Sequence, residues 1–183
     1  MNRFFSLIIV AILSLTFSSS HALFAQQMPP EVLKQSQDAM AKMAWFEGTW
    51  TGTGWMQLGP DNRETSDVLE EAEMRLDGTL LLLEGLGTSE GKVVHSAVGV
   101  ISFSPATNSY SMRAYRPGGM FIDAEIEVGD DQIIWGFEDP RAGKIRYTVT
   151  HSEDDEWIEH GEISRDGGET WFPFFGMTLT RRM

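Results

Sequence analysis

At residues 45–54 the chain reads Trp45-Phe46-Glu47-Gly48-Thr49-Trp50-Thr51-Gly52-Thr53-Gly54. Before this segment the apolar residues follow a helical period, and after it they recur at every second position, which is the period of a strand. Gly48-Thr49-Trp50 therefore marks the start of the first strand of an antiparallel barrel. The motif indicates a fold and contains no catalytic signature.

Turn residues interrupt the alternating pattern about every eight to fourteen residues. The predicted strands cover 48–57, 67–76, 79–87, 92–103, 109–116, 120–128, 132–138, 144–151, 156–164 and 169–180. The links between them are short, which favours antiparallel neighbours. A sheet with one apolar face either splits into two stacked sheets or closes, and closure is preferred because it leaves no open edge. We predict an all-β, about ten-stranded, up-and-down closed barrel with a short N-terminal helix.

Residues 1–25 have the features of a cleaved signal peptide. Arg3 gives a positive start, residues 4–17 are almost all apolar, and small polar residues follow. The apolar run is shorter than the roughly twenty residues that span a bilayer, so no membrane span is expected. Cleavage after Ala22 and cleavage after Ala25 both fit, and Ala25 is preferred. The mature chain is expected to be exported, to the periplasm or the extracellular space.

The remaining chain divides into two parts. Residues 26–44 form a lead and an N-terminal helix, with helical spacing of apolar residues over 31–43. This helix is expected to plug or cover one end of the barrel. Residues 45–183 form the barrel itself.

Composition excludes some classes of function. The 183 residues contain 14 Lys and Arg against 27 Asp and Glu, a formal net charge of −13. Nucleic acid is not expected as a partner, because binding it needs a clustered basic surface. Acidic runs such as Glu70-Glu71 are expected on exposed or turning segments.

The chain contains no Cys, so the apolar core holds the domain without disulfides. Nothing in the pattern indicates an oligomeric state.

The helix, the 45–54 segment, the strand count and a last strand ending at Arg181 together resemble the calycin superfamily of lipocalins and fatty-acid-binding proteins. The likeness is strongest to a bacterial lipocalin-like family of unknown function and more distant to nitrobindin-type haem barrels. It covers residues 45–181. The resemblance implies a structural pair at the closed end of the barrel, in which Arg181 or Arg182 lies across the ring of Trp50.

Cofactors are not expected. Nitrobindin-type barrels bind iron through a His on a C-terminal strand, and this chain has no His after His160. Met177 is the remaining candidate for an axial ligand, but a Met among Phe residues is usually part of a core, so haem is unlikely on this pattern. His95, His151 and His160 lack a local metal-ligand spacing, and no metal site is predicted.

Strand alternation gives a set of candidates for the ligand-binding lumen. These are Tyr110, Met112, Arg113, Tyr115, Trp135, Phe137, Tyr147, Glu159 and Phe172. Arg113-Ala114-Tyr115 resembles the Arg-x-Tyr arrangement by which fatty-acid-binding proteins hold a carboxylate, although in those proteins it lies on the last strand. The alternate face of the same strand is more apolar and competes for the lumen. The direction of Arg113 stays open.

The catalytic signatures that we sought are absent from the sequence. It has no Gly-x-Ser-x-Gly elbow, and Gly52-Thr53-Gly54 lies within a strand, where glycine more often serves curvature than phosphate binding. Glu159 is the best candidate for an inward carboxylate and has His151 or Tyr147 as a possible partner. No residue is assigned as catalytic.

Residues 164–171 resemble the Asp-box hairpin of sialidase propellers. The match occurs once, whereas a propeller needs repeated blades. A structural role is therefore predicted, in which Asp166 binds backbone amides and Trp171 packs below the turn.

The function predicted from these features is an exported barrel that binds a small, mostly apolar or lipid-like molecule in its lumen. Two alternatives remain: an enzyme acting on a lipid-like or isoprenoid-like molecule in the same cavity, and a packed envelope interaction domain without a ligand.

Overall fold

The computed structural model describes residues 29–182. The signal peptide predicted for residues 1–25 lies outside the described residues. Within the described range, none of the helices has the length and apolar character needed to cross a membrane.

The chain begins with helix α1, Pro30–Met40, which continues as a short 3-10 helix, Ala41–Phe46. Ten strands follow: β1 Gly48–Gly59, β2 Asn62–Arg75, β3 Leu80–Ser89, β4 Lys92–Ser104, β5 Ser109–Arg116, β6 Met120–Val128, β7 Gln132–Asp139, β8 Gly143–His151, β9 Glu156–Ser164 and β10 Phe172–Arg181. Consecutive strands pair antiparallel, and β1 also pairs with β10. The predicted closed, ten-stranded, up-and-down barrel is confirmed, and the stacked-sheet alternative is wrong.

Closure requires β1 and β10 to approach closely at Gly52. A Cβ atom at this position would lie 2.1 Å from the carbonyl oxygen of Thr178 on β10. Two residues further along β1, a Cβ at Gly54 would lie 3.1 Å from the Val68 side chain on β2. The glycines of the 52–54 segment therefore let β1 pair with both neighbours at the seam of the barrel.

Helix α1 and the 3-10 helix cover one end of the barrel. Met40, Met43 and Phe46 are buried there, and the Tyr110 hydroxyl donates a hydrogen bond to the Ala39 carbonyl oxygen at 2.8 Å. Phe46 also meets Trp157 edge to face, with ring centroids 4.6 Å apart. The apolar side of the helix is thus part of the core, as the sequence pattern predicts.

Trp50 and Arg181 lie together beside this covered end. Trp50 is fully buried and its indole Nε1 donates to the Phe46 carbonyl oxygen at 2.7 Å. The Arg181 guanidinium carbon lies 4.1 Å from the centre of the Trp50 ring. This is the arrangement that the calycin resemblance implies, with Arg181 in the stacked position.

The guanidinium of Arg181 also ties together three chain segments. It donates to the carbonyl oxygens of Trp45 and Glu47, before β1, and to the Asp155 carboxylate in the β8–β9 turn. These bonds lower the pKa of Asp155 to about 2, with Arg181 as the first cause and His151 as the second. One side chain therefore links the 3-10 helix, the last strand and a turn.

The segment between β9 and β10 is a rigid hairpin organised by Asp166. Its carboxylate accepts hydrogen bonds from the Thr170 hydroxyl and backbone amide, from the Ser164 hydroxyl and from the Glu169 backbone amide, and these bonds lower its pKa. Trp171 Nε1 donates to the Gly168 carbonyl oxygen at 3.1 Å. Because the hairpin uses these amides, β10 begins at Phe172 and not at residue 169 as predicted.

We expect Arg181→Ala to lower the free energy of unfolding by about 2 kcal/mol, because it removes the stacked cation and leaves two carbonyl groups without their donor. Urea unfolding followed by Trp fluorescence measures the change. Arg182→Ala is the matched control, since Arg182 contributes its backbone amide, which binds the Thr49 carbonyl oxygen and is kept in the variant. Equal effects of the two substitutions would contradict the structural role of Arg181.

Candidate ligand-binding cavity

The barrel encloses a cavity of about 580 Å³. Its floor contains Phe46 from the 3-10 helix, so the covered end of the barrel closes it. The opposite end is formed by the β1–β2, β3–β4, β5–β6, β7–β8 and β9–β10 turns, and no helix among residues 29–182 lies over it. The apolar part of the wall includes Met56, Val68, Leu83, Ile101, Met112, Ile122, Ile126, Ile133, Trp135, Phe137, Ile145, Val149, Trp157, Phe174, Phe175 and Met177.

The two sides of the wall differ in side-chain size. Strands β3, β4 and β5 present several small residues to the cavity: Gly85, Gly87, Ala97, Gly99 and Ala114. Strands β7 to β10 present aromatic rings instead. The cavity exists because small residues on one side face large residues on the other, leaving volume that side chains do not fill.

An aromatic group forms one side of the cavity. Trp135 on β7 and Tyr147 on β8 stack with ring centroids 3.9 Å apart and planes 8° from parallel. Tyr147 also meets Phe174 and Phe175 of β10 at 5.7 Å each. Gly161 on β9 makes room for this group, since a Cβ there would lie 2.9 Å from both the Tyr147 ring and the Phe175 side chain.

A buried carboxyl group, Glu159 on β9, lies next to these rings. It is 6% exposed and accepts a hydrogen bond from Trp135 Nε1 at 3.1 Å. Burial raises the pKa of Glu159 to about 7, although the indole N–H groups of Trp135 and Trp157 act in the opposite direction. Trp157 Nε1 is itself buried and has no partner in hydrogen-bond geometry among the described residues.

A second carboxyl group, Glu70 on β2, also faces the cavity. It lies opposite Gly85 in the β2–β3 register, and a Cβ at Gly85 would be 2.5 Å from Glu70 Oε1. The absence of a side chain at Gly85 therefore provides the space that the carboxyl group occupies. Burial first, and repulsion by Glu159 second, raise the pKa of Glu70 to about 8. Glu159 in turn adds to the effect of burial in raising the pKa of Tyr147.

Other charged groups lie towards the open end. The cavity wall there includes Glu64, His95, Arg116 and Asp139, which belong to the segments next to the turns. The pKa of His95 is lowered by burial and then by Arg116. Carboxyl groups that titrate near neutral pH are thus combined with an apolar wall, an arrangement that can bind a polar group of a ligand or exchange a proton with it.

Several residues predicted for the lumen do line the cavity. They are Met112, Trp135, Phe137, Tyr147 and Glu159. Tyr110 lies on the same inward face as Met112 but below the cavity, where its hydroxyl contacts α1. His151 stacks on Trp45 at the covered end, 4.7 Å between ring centroids, and is not part of the cavity wall. Of the two residues predicted as possible partners of Glu159, Tyr147 therefore lies near it and His151 does not.

Three residues predicted as lumen candidates lie elsewhere. Arg113 and Tyr115 are on the outer face of β5, where Arg113 Nη2 donates to Asp123 Oδ2 on β6 at 2.8 Å and Tyr115 is 41% exposed. The apolar Met112 and Ala114 take the inward face, which excludes their neighbours in sequence. Phe172 is 60% exposed at the start of β10, next to the open end, and is not part of the cavity wall.

Glu70 was expected, together with Glu71, on an exposed or turning segment, and this prediction is wrong for Glu70. The structure places Glu70 inside and leaves Glu71 exposed. A signal was present in the alternation of β2, where Val68, Glu70 and Ala72 share one face. It was overlooked because an unpaired carboxylate is rare at a core position.

Comparison with known proteins supports the fold. No protein-family model and no curated protein matches the chain. The crystal structure of Rv2717c from M. tuberculosis is 14% identical, with a TM-score of 0.57 over 79% of this chain and 98% of that one. The S-type phycobiliprotein lyase CPES from Guillardia theta is 9% identical, with a TM-score of 0.54 over 85% and 99%. At these identities the likenesses show the fold alone, which with the closed ten-stranded topology is a lipocalin-like barrel.

Glu159 should make folding stability depend on pH. Its pKa rises from 4.5 to about 7 on folding, so over this range the folded state keeps a proton that the unfolded state releases. The free energy of unfolding therefore falls as the pH rises through this range. Glu159→Gln removes this titration, and we expect its free energy of unfolding to exceed that of the wild type by about 3 kcal/mol at about pH 8.5, with little difference near pH 4.

Urea unfolding at the two pH values measures this change in stability. Glu71→Gln is the control, because Glu71 lies on the exposed face of β2. A stability difference between Glu159→Gln and the wild type that is the same at both pH values would show that the carboxyl group keeps its ordinary pKa.

Proposed function

We propose that this calycin-type barrel is an exported binding protein that holds a small, mostly apolar molecule in its lumen. The observation that carries the proposal is the cavity of about 580 Å³ with an aromatic and aliphatic wall. Ligand sites of proteins usually have volumes of about 300–1,000 Å³, are mostly apolar and contain a few polar groups.

The alternative of a packed interaction domain agrees less well with the lumen. A barrel that serves only as a scaffold is expected to fill its interior with side chains. Here the inward faces of β3 to β5 carry Gly85, Gly87, Ala97, Gly99 and Ala114, and the volume opposite the aromatic group is empty of side chains. This distribution supports a role in ligand binding.

An enzyme acting on a lipid-like or isoprenoid-like molecule is the second candidate. It is favoured by Glu159 and Glu70, whose pKa values of about 7 and about 8 suit proton transfer near neutral pH. One protein of similar fold is named a phycobiliprotein lyase, which is the name of an enzyme. A barrel of this fold is therefore compatible with an enzymatic role. Turnover of a molecule recovered from the natively purified protein would favour this candidate over simple binding.

Export is part of the proposal and rests on the signal-like composition of residues 1–25. Expression of the full chain in a bacterium, followed by mass measurement of the protein in the cell envelope and medium fractions, tests it. A mass that corresponds to loss of about the first 25 residues supports export. A full-length protein confined to the cytoplasm would contradict it.

Lumen binding can be tested with the uncharged dye N-phenyl-1-naphthylamine, whose fluorescence rises in apolar surroundings. We expect saturable binding to the wild type and at least about tenfold weaker binding to Ala114→Trp, because the indole occupies the cavity beside Gly99 and Ile122. Ser111→Trp is the matched control on the exposed face of the same strand. Failure of the wild type to bind, or equal binding by both variants, would contradict lumen binding.

A further inference from the structure

We propose that the ligand carries one basic nitrogen on its apolar body and is held as a cation between Glu70 and Glu159. The inference rests on the proposed lumen binding and adds the chemical class of the ligand. It depends on the unbalanced charge of the cavity, on two carboxyl groups without a cationic partner, and on an indole donor left without an acceptor.

The charge of the cavity wall is strongly unbalanced. Four carboxyl groups line it, Glu64, Glu70, Asp139 and Glu159, against one guanidinium, Arg116, and no Lys. Among residues 29–182, none of the ion pairs includes Glu70 or Glu159. Carboxylates inside a protein are normally paired with a cation, and within the described residues the protein itself supplies none to these two.

The surroundings of Glu159 are suited to its ionised form. Trp135 Nε1 already donates to it. Trp157 is 3% exposed, its Nε1 has no hydrogen-bond partner among the described residues, and it is near enough to Glu159 to favour the ionised carboxyl. An ionised carboxylate can accept from both indoles at once. Two indole N–H groups can therefore stabilise the ionised Glu159 carboxylate, but none of the ion pairs among the described residues gives it a positively charged partner.

Glu70 also lacks a positively charged partner among the described residues. The influences on its carboxyl group are burial and repulsion by Glu159, and both oppose ionisation. A cation placed between the two carboxyl groups would attract both and remove the mutual repulsion. The rings of Trp135 and Tyr147 in the same wall provide an additional attraction for a cation.

An anionic ligand would be disfavoured at this site. Arg116 lies at the end of β5 near the open end, away from the covered floor, and Arg113 is outside the barrel in an ion pair with Asp123. A carboxylate deep in the lumen would be placed close to Glu70 and Glu159, where like charges repel. The formal net charge of −13 would also attract cations to the protein and repel anions.

The proposal predicts a definite pH dependence. The groups of the cavity wall that can titrate or carry charge are Glu64, Glu70, His95, Arg116, Asp139, Tyr147 and Glu159. Of these, Glu159 and Glu70 change charge between pH 6 and 9, with pKa values of about 7 and about 8. Affinity for a cation should therefore rise with pH over this range and fall as the carboxyl groups take up protons.

The test uses three probes of one chain length, which are decylamine, decanol and decanoate. The affinity of each probe for the wild-type protein is measured by its displacement of N-phenyl-1-naphthylamine at about pH 5.5 and about pH 8.5. The amine is charged at both pH values. We expect decylamine to bind at least about tenfold more tightly than decanol at the higher pH, with most of this preference lost at the lower pH. Decanoate is expected to bind most weakly at the higher pH.

Substitutions at the two carboxyl groups test whether they cause the preference for decylamine over decanol. At the higher pH, Glu70→Gln and Glu159→Gln are each expected to reduce the ratio of decylamine to decanol affinity at least about fivefold, because each removes one of the two negative charges. Glu71→Gln, on the exposed face of the same strand as Glu70, should leave the ratio unchanged. Decanol binding also shows that each variant is folded.

The outcomes separate the two proposals. Equal affinity of decylamine and decanol for the wild type at the higher pH overturns the cation site and leaves lumen binding intact. A preference for decylamine that survives both Glu→Gln substitutions overturns the placement between Glu70 and Glu159. If neither the dye nor any of the three probes binds, the proposed function itself is wrong.

Discussion

The barrel depends on the seam where β1 meets β10. At Gly52 the two backbones approach so closely that a Cβ atom would lie 2.1 Å from a carbonyl oxygen of β10. Beside this seam, Arg181 at the end of β10 stacks on Trp50 and holds the carbonyl groups that precede β1. Closure gives every strand one enclosed face, and the 3-10 helix that leads into β1 is fixed across the end of that enclosure.

The lumen follows from closure together with an uneven distribution of side-chain size. If all ten inward faces carried large residues, the interior would be a solid core. Small residues such as Gly99 and Ala114 face the stacked rings of Trp135 and Tyr147, so volume remains between them. Into this apolar volume the chain places Glu70 and Glu159. Glu159 is buried and Glu70 is half-buried. Removing carboxyl groups from water is costly, and such a cost is commonly retained at functional sites.

Much of the fold could be predicted because strand periodicity and turn chemistry act locally. The bounds of β5 and β6 and the inward face of Trp135 and Phe137 follow from alternation alone. Features set by contacts between distant segments could not be obtained in this way. The pairing of β10 with β9 shifts between Pro173 and Phe175, and the space for Glu70 depends on Gly85, which lies on another strand. The stacking of Arg181 on Trp50 was implied by family resemblance and not by spacing.

The central claim is that the lumen is a ligand site whose polar end is formed by the carboxyl groups of Glu70 and Glu159. A crystal structure of the protein with decylamine, grown at about pH 8.5 where these groups ionise, tests it most directly. We expect the alkyl chain inside the barrel against Trp135 and Tyr147, with the nitrogen in hydrogen-bond contact with Glu70, Glu159 or both. An amine bound to the outer surface, or a lumen filled by the protein's own side chains, would contradict it.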